Sequence, residues 1–89
     1  GNSMEPTLED GEYALVDPNN TAYVKNKIYV VTYNDEGYIK RVEVKDKKKV
    51  ITLKSDNPDY DDIDISEEMQ EYFKINGRVV EVISKKRVL

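Results

Sequence analysis

The sequence contains neither histidine nor cysteine. Without histidine there is no Ser-His-Asp triad and no Cys-His dyad, and without cysteine there is no thiolate nucleophile and no disulfide framework. A serine hydroxyl is a poor nucleophile near its free pKa, so an adjacent base must take its proton. The serine arrangement that these absences leave open is a Ser-Lys pair.

Long hydrophobic runs and a basic surface are also missing. No run approaches the length of a membrane span or a signal peptide, so we expect a cytoplasmic protein with no membrane partner. The net charge of -4 and the pI near 4.8 argue against the continuous basic surface that phosphate binding needs, so we do not expect this piece to bind DNA. With 89 residues, 38% of them hydrophobic, the chain has the size of one small domain with a modest core.

Short apolar or alternating runs, separated by turn-forming segments, predict β-strands. The predicted strands cover residues 12–17, 27–33, 38–44, 50–54 and 78–83. Residues 34–37 form a turn signal, so residues 29–44 are predicted to form a hairpin. With at most one helical turn, at residues 66–72, this pattern predicts a compact, mostly antiparallel β fold. The acidic run at residues 56–68 lacks the spacing of a calcium-binding loop and is predicted to be a solvated loop.

Lys40 lies in the third predicted strand, where side chains alternate between two faces. The face that includes Lys40 is otherwise apolar or aromatic, and the opposite face is mostly charged, which predicts that Lys40 points inward. Burial disfavours the ammonium form and lowers the pKa of a lysine, so a neutral amine becomes available as a general base. The alternative is that Lys40 lies at a sheet edge and reaches water along its aliphatic stem.

Ser3 lies in GNSMEPTLEDGE, beside residues that form turns. One interpretation is a helix N-cap, because serine before a short segment with Glu and Pro is common at helix starts. A serine at such a position lies among free backbone N–H groups, which can also stabilise an oxyanion. Sequence position alone leaves both interpretations open.

Four segments, in order, resemble the LexA-like peptidases. GNSMEPTLEDGEYALVD resembles the nucleophile segment of that family, G-D-S-M-x-P-T-L-x-x-G-D, and KIYVVTYNDEGYIKRV resembles the strand, hairpin and strand that carry its catalytic lysine. LKSDNPDY resembles the S-D-N-P-x-Y segment and INGRVVEV the closing G-R-V-V strand. The segments run from Gly1 to about Val82, and such ordered agreement is more specific than any single motif.

This resemblance implies that Ser3 is the nucleophile and Lys40 the general base of a self-cleaving repressor domain, a serine endopeptidase. It implies backbone support for the oxyanion at Met4, with no cofactor and no metal. LexA, the lambda-type phage repressors and the UmuD mutagenesis proteins typically cut their own chain at a small-residue-Gly bond in a linker upstream of the serine. In the repressors this cut removes the DNA-binding domain and relieves repression, and contact with a RecA filament on single-stranded DNA is the trigger in many members.

A homodimer is the expected assembly. The closing strand from Arg78 to Ile83 is the candidate dimer element, because its apolar side chains lie on both faces and a strand near a terminus can pair with its symmetry mate. The resemblance also implies dimerisation through this C-terminal region. DNA is expected to be contacted only through an N-terminal domain that this chain does not contain.

The chain departs from the family pattern in three ways. Asn2 stands where Asp is usual, and Lys25-Asn26-Lys27 replaces a Gly-centred turn, although Asn is the next best residue for a left-handed backbone. No alanine is followed by glycine, so no scissile Ala-Gly pair is present. We therefore expect this piece in isolation neither to cut itself nor to bind an operator.

Three alternatives remain open. The first is a phage-repressor dimerisation domain that keeps the fold without cleaving. The second is a UmuD-like mutagenesis accessory protein. The third is a type I signal peptidase, which resembles the chain in its S-M-x-P-T and K-R-V segments and uses the same dyad, although the SDNPDY segment and the absence of a membrane anchor count against it.

Overall fold

The computed structural model describes residues 2–84, which form a six-stranded antiparallel sheet. Its strands are β1 Tyr13–Asp17, β2 Ile28–Tyr33, β3 Glu36–Lys45, β4 Val50–Lys54, β5 Ile63–Ser66 and β6 Phe73–Ile83. Two short 3₁₀ segments, Asp46–Lys48 and Glu67–Tyr72, are the helical elements among the described residues. Neither has the length and apolar character of a membrane-crossing helix. The predicted mostly β, antiparallel fold is confirmed.

The spatial order of the strands is β1-β6-β2-β3-β4-β5, and each neighbouring pair is antiparallel. Strands β2 to β5 follow one another as a meander, and β6 returns to pair with β2. Strand β1 is added outside β6. Strands β3 and β4 are thus the fourth and fifth strands of the sheet.

The β2–β3 hairpin turns at Asn34 and Asp35. Both residues have positive φ, 49° and 66°, and Tyr33 pairs with Glu36 across a two-residue loop. Positive φ at both central positions is the signature of a type I′ turn, which matches the right-handed twist of the flanking strands. The predicted turn is thus correctly placed but too long, because Glu36 and Gly37 belong to β3.

The prediction of a solvated loop over residues 56–68 is wrong for Ile63–Ser66, which form β5. Ile65 is fully buried and pairs with Ile51, while Ile63 pairs with Leu53. Because alternate residues of a strand point to opposite faces, two isoleucines suffice to anchor a four-residue edge strand whose other side chains are exposed. The acidic composition of the run conceals this short alternation.

The core lies on one face of the sheet and is built from every second residue of its central strands. Its fully or almost fully buried members are Tyr29, Val31, Val42, Leu53 and Ile65. The Tyr29 hydroxyl accepts a hydrogen bond from the Val24 N–H at 2.7 Å and donates to the Ala22 carbonyl at 3.0 Å. The loop before β2 is therefore fixed to the core by a buried side chain that satisfies its own polar atom.

Gly77 lies where β6 passes the end of β1, and a side chain there would collide with the backbone. A Cβ would lie 2.7 Å from the Asp17 carbonyl oxygen and 2.7 Å from Val16 Cγ1. We expect Gly77→Ala to lower the free energy of unfolding by about 1–3 kcal/mol, because β1 must move to make room. Urea denaturation monitored by circular dichroism measures the change.

Gly37→Ala is the matched control, because a Cβ at Gly37 meets nothing within 4 Å. Its free energy of unfolding should change by no more than about 0.5 kcal/mol. An equal loss of stability in the two variants would contradict the packing argument for Gly77.

Candidate active site

Ser3 lies in a series of tight turns. The Asn2 carbonyl accepts from the Glu5 N–H at 3.3 Å, and the Met4 carbonyl accepts from the Leu8 N–H at 3.0 Å. No helix begins at this serine within the described residues 2–84, so the N-cap interpretation of Ser3 is wrong. The residue is instead presented by a compact turn.

The Asn2 side chain closes that turn from both sides. Its Oδ1 accepts a hydrogen bond from the Met4 N–H at 2.7 Å, and its Nδ2 donates to the Leu8 carbonyl at 2.7 Å. An aspartate at position 2 would supply the acceptor but not the donor. The departure from the family pattern at Asn2 therefore adds a hydrogen bond to the segment that carries Ser3.

Met4 anchors the turn to the protein interior, since its side chain is only 2% exposed. Its N–H donates to Asn2 Oδ1, so it already has a partner inside the turn. To stabilise an oxyanion, this N–H would have to leave the Asn2 side chain. The oxyanion role of Met4 stays a prediction.

Lys40 projects from the core face of β3, as the strand pattern predicts. It is 5% exposed and lies opposite Tyr29 on β2. Burial lowers its pKa below the ordinary lysine value, and the negative charge of Asp62 offsets part of that effect. A lowered pKa increases the fraction of neutral amine, which is the form able to accept a proton.

Ser3 and Lys40 line the same cavity, which has a volume of about 390 Å³. One wall is formed by the turn residues around Ser3 and by residues 8–12, and the other by residues 37–40 of β3. The fold thus brings the two sequence-predicted residues to one place. Within residues 2–84, however, no hydrogen bond joins their side chains. Lys40 Nζ instead donates to Ser55 Oγ at 2.6 Å.

Ser55 is a site residue that the sequence pattern does not predict, although it opens the SDNPDY segment. The signal that reveals it is the register of the β3–β4 hairpin, in which Arg41 pairs with Lys54. Ser55, the residue after β4, therefore lies beside Lys40. A sequence pattern shows the two strands but not which residues lie opposite one another.

Asp56, the next residue, connects β3 with the segment that carries Ser3. Arg41 donates to its carboxylate through Nε at 2.9 Å and Nη2 at 2.7 Å, a bidentate arrangement, and the Thr7 hydroxyl donates at 2.5 Å. The Arg41 hydrogen bonds lower the pKa of Asp56, burial raises it, and the Thr7 hydroxyl adds to the lowering. The same hydrogen bonds raise the pKa of Arg41. A second cavity, of about 440 Å³, lies beside this pair and includes neither Ser3 nor Lys40.

Asn57 completes the connection. Its backbone N–H donates to the Ser3 carbonyl at 2.9 Å, and its side-chain amide donates to the Asn2 carbonyl at 3.1 Å. Ser3 therefore takes its position from the loop after β4 as well as from its own turn. We call residues 55–57 the clamp, because each of them binds β3 or the Ser3 segment.

The family model described as Peptidase S24-like matches residues 1–80, which include Ser3, Lys40 and the whole clamp. The chain belongs to the Peptidase S24-like family. Repressor protein CI of Enterobacteria phage phi80 is 34% identical to it over 67 residues. That match covers 75% of this chain but 28% of the phage protein, so the S24-like chain spans little more than a quarter of its curated relative. The resemblance to LexA-like peptidases and phage repressors is confirmed.

Asp56→Asn should destabilise the chain in a pH-dependent way. The folded-state pKa of Asp56 is lowered, so its carboxylate stabilises the fold above the unfolded pKa of about 3.9, and this contribution is lost as the pH falls through the folded pKa. At pH 7 we expect the free energy of unfolding to fall by about 1–3 kcal/mol, and the difference from the parent to shrink in acid. Urea denaturation across pH measures it.

Asp59→Asn is the control on the same loop, because Asp59 is exposed and its own backbone N–H, not its carboxylate, bonds to Asn57. We expect a change within about 0.5 kcal/mol at every pH. The clamp argument for Asp56 does not survive if both variants lose the same stability or if the loss at Asp56 is independent of pH.

Proposed function

We propose that this chain is the C-terminal domain of a LexA-like or phage transcriptional repressor, and that it acts as a Ser-Lys endopeptidase on its own polypeptide. The cut falls in a linker upstream of Ser3. The observation that carries the proposal is the meeting of Ser3 with a buried Lys40 in one cavity, in a chain of the S24-like family. The similarity to a phage repressor supports the regulatory role.

In the proposed reaction, neutral Lys40 takes the proton from Ser3 Oγ as the hydroxyl attacks the carbonyl carbon of the scissile peptide. The carbonyl oxygen becomes an oxyanion, which backbone N–H groups of the turn stabilise. The intermediate then collapses, and the Lys40 ammonium gives its proton to the departing amine. Water, deprotonated by Lys40, finally cleaves the Ser3 ester and returns the hydroxyl.

The surroundings of Lys40 suit a base rather than a surface cation. Desolvation favours the neutral amine, and the buried position keeps bulk water away from the proton that is transferred. Before attack, Ser3 Oγ must come within hydrogen-bond distance of Lys40 Nζ. Apo sites often tighten in this way only when substrate binds.

Cleavage would separate this domain from a DNA-binding domain upstream and so relieve repression. Operator contacts would belong to that upstream domain, consistent with the acidic pI of this chain. A RecA filament on single-stranded DNA is the proposed trigger.

The proposal includes a homodimer through the strand from Arg78 to Ile83. Pairing of β2 with β6 ends at Tyr29 opposite Arg78, whereas pairing of β1 with β6 continues to Ile83. Among the described residues, the β2-side edge of β6 therefore has no strand partner beyond Arg78, and Val80 and Ile83 are 50% and 45% exposed. Antiparallel pairing of two such edges across a two-fold axis would extend both sheets and cover these side chains.

A non-cleaving dimerisation domain is the second candidate function. The observation that favours it is the lack of a hydrogen bond between Lys40 and Ser3 among the described residues, where Lys40 donates to Ser55 instead. In that case the fold and the free edge of β6 would serve dimerisation, and the cavity would have no catalytic role.

Self-cleavage of the full-length protein tests the first function. We expect one cut upstream of Ser3, with a rate that rises with pH as Lys40 loses its proton and levels off above its pKa; burial moves that rise below the ordinary lysine pKa of about 10.4. Ser3→Ala and Lys40→Ala should each slow cleavage by at least about 10³-fold. Gel electrophoresis and mass spectrometry of samples held at neutral pH and near pH 10 measure these rates.

Lys45→Ala is the matched control for the lysine, because Lys45 lies on the same strand and is exposed. It should cut at the parental rate. A parent that stays whole at both pH values and with RecA filaments added would favour the non-cleaving dimerisation domain.

Val80→Lys tests the dimer. A charge at this half-exposed position should raise the dimer dissociation constant at least about tenfold, because the proposed pairing brings the two copies of the strand together and desolvates the ammonium groups. Sedimentation equilibrium measures the constant. Val24→Lys, at a valine of comparable exposure on the loop before β2, should leave it unchanged. A monomeric parent, or equal effects of the two substitutions, would overturn the proposed interface.

A further inference from the structure

Ser55 Oγ accepts a hydrogen bond from Lys40 Nζ at 2.6 Å, at the point where β4 leads into the clamp. We propose that Ser55 is the positioning residue of the Ser3-Lys40 dyad, holding the Lys40 amine so that its lone pair faces the cavity that Ser3 lines. The inference rests on the proposed function and adds a third side chain to it.

A lysine amine rotates about its Cε–Nζ bond, and only one of three directions carries the lone pair once the proton has left. A fixed acceptor on one side keeps an N–H pointing there and restricts the lone pair to the remaining directions. The Tyr38 and Tyr60 rings, with centroids 6.0 and 5.9 Å from Nζ, attract N–H groups rather than a lone pair. Ser55 and Tyr60 do not line the cavity, so they draw two N–H groups away from it and leave the lone pair to face Ser3.

Because Lys40 is buried, its hydrogen bond to Ser55 is costly to lose. Lys40 is 5% exposed, so little water reaches it to replace a lost acceptor, and an unpaired buried N–H is costly. A hydroxyl can also rotate, so Ser55 can accept from either the ammonium or the amine. It therefore keeps contact with Lys40 through both halves of a proton-transfer cycle.

The clamp places Ser55 relative to both members of the dyad. Asp56 binds Arg41, the neighbour of Lys40, and Asn57 binds the Ser3 carbonyl. Any displacement of Ser55 would therefore change the relation of the base to the nucleophile. Geometry of this kind matters because misplacing a catalytic group by about 1 Å costs up to about 100-fold in rate.

The other charged or titratable groups near the amine come from several elements. Asp62 lies before β5, Tyr38 lies on β3, and Tyr60 lies on the loop after β4. The same cavity is also lined by three acidic side chains, Glu9, Asp10 and Glu12. A substitution at Ser55 leaves all of these groups in place, so a changed titration of Lys40 reports the loss of the hydroxyl.

The first measurement is the pH profile of self-cleavage in the full-length protein. Ser55→Ala removes an acceptor from the buried ammonium, so the pKa of Lys40 should fall and the pH of half-maximal rate should fall with it. The plateau rate should drop by about 10- to 100-fold, because the amine is no longer oriented. Ser55→Thr, which keeps a hydroxyl, should retain the parental profile, whereas a purely structural role would lower the rate without moving the profile.

The second measurement does not depend on cleavage. Full-length protein carrying Ser3→Ala and ¹³Cε-labelled lysine is titrated by NMR, with Lys40 assigned by comparison with Lys40→Met. Adding Ser55→Ala should lower the Lys40 pKa, and adding Ser66→Ala, at an exposed serine whose side chain makes no capping hydrogen bond, should not. If Ser55→Ala does not fold, Ser55→Val takes its place, because it also removes the acceptor without adding a titratable group.

The two measurements separate the two proposals. A parent that stays whole at every pH and with RecA filaments added refutes the self-cleaving function, while the NMR titration still decides whether Ser55 holds the Lys40 amine. An NMR titration that is identical with and without the Ser55 hydroxyl overturns the role of Ser55, whether or not the parent cuts.

Discussion

The candidate site depends on three consecutive residues that bind two otherwise separate parts of the chain. Ser55 accepts from Lys40, Asp56 binds Arg41, and Asn57 binds the Ser3 carbonyl. Ser3 lies outside every strand and helix of the described residues, so the regular sheet alone does not place it. Through the clamp, the β3–β4 hairpin fixes the position of the turn that carries Ser3.

Burial removes hydration from the Lys40 ammonium. This loss lowers the stability of the fold, and it also favours the neutral amine that the proposed chemistry needs. Lys40 occupies a core-facing position of β3 where an apolar residue would be more favourable, and its ammonium loses hydration there. The Ser55 hydroxyl and the charge of Asp62 offset part of that loss. Local departures from good packing rules are typical of functional sites, and this one coincides with the cavity that Ser3 lines.

Alternation of apolar and polar residues predicted strands correctly where one face of the strand is apolar and the other is charged. The inward direction of Lys40 followed from alternation in β3, and β4 was predicted with its observed bounds, Val50–Lys54. Alternation failed for β5, whose two inward isoleucines are surrounded by acidic residues, and for the start of β6, where Phe73 and Ile75 pack against the core although their neighbours are polar. In both cases tertiary packing decided the strand against a local composition typical of loops.

The sequence by itself determined which catalytic residue types are available, that most of the chain forms strands, that Lys40 points inward and which family the chain belongs to. Each of these depends on residue types or on short-range periodicity, which are present in the sequence before any folding. The tertiary structure alone decided that Lys40 is held by Ser55, that Asn2 occupies the Met4 N–H, and that Asn57 positions Ser3. Such partners depend on strand register and loop closure, because a hydrogen bond requires placement within a few tenths of an ångström and no local pattern specifies that.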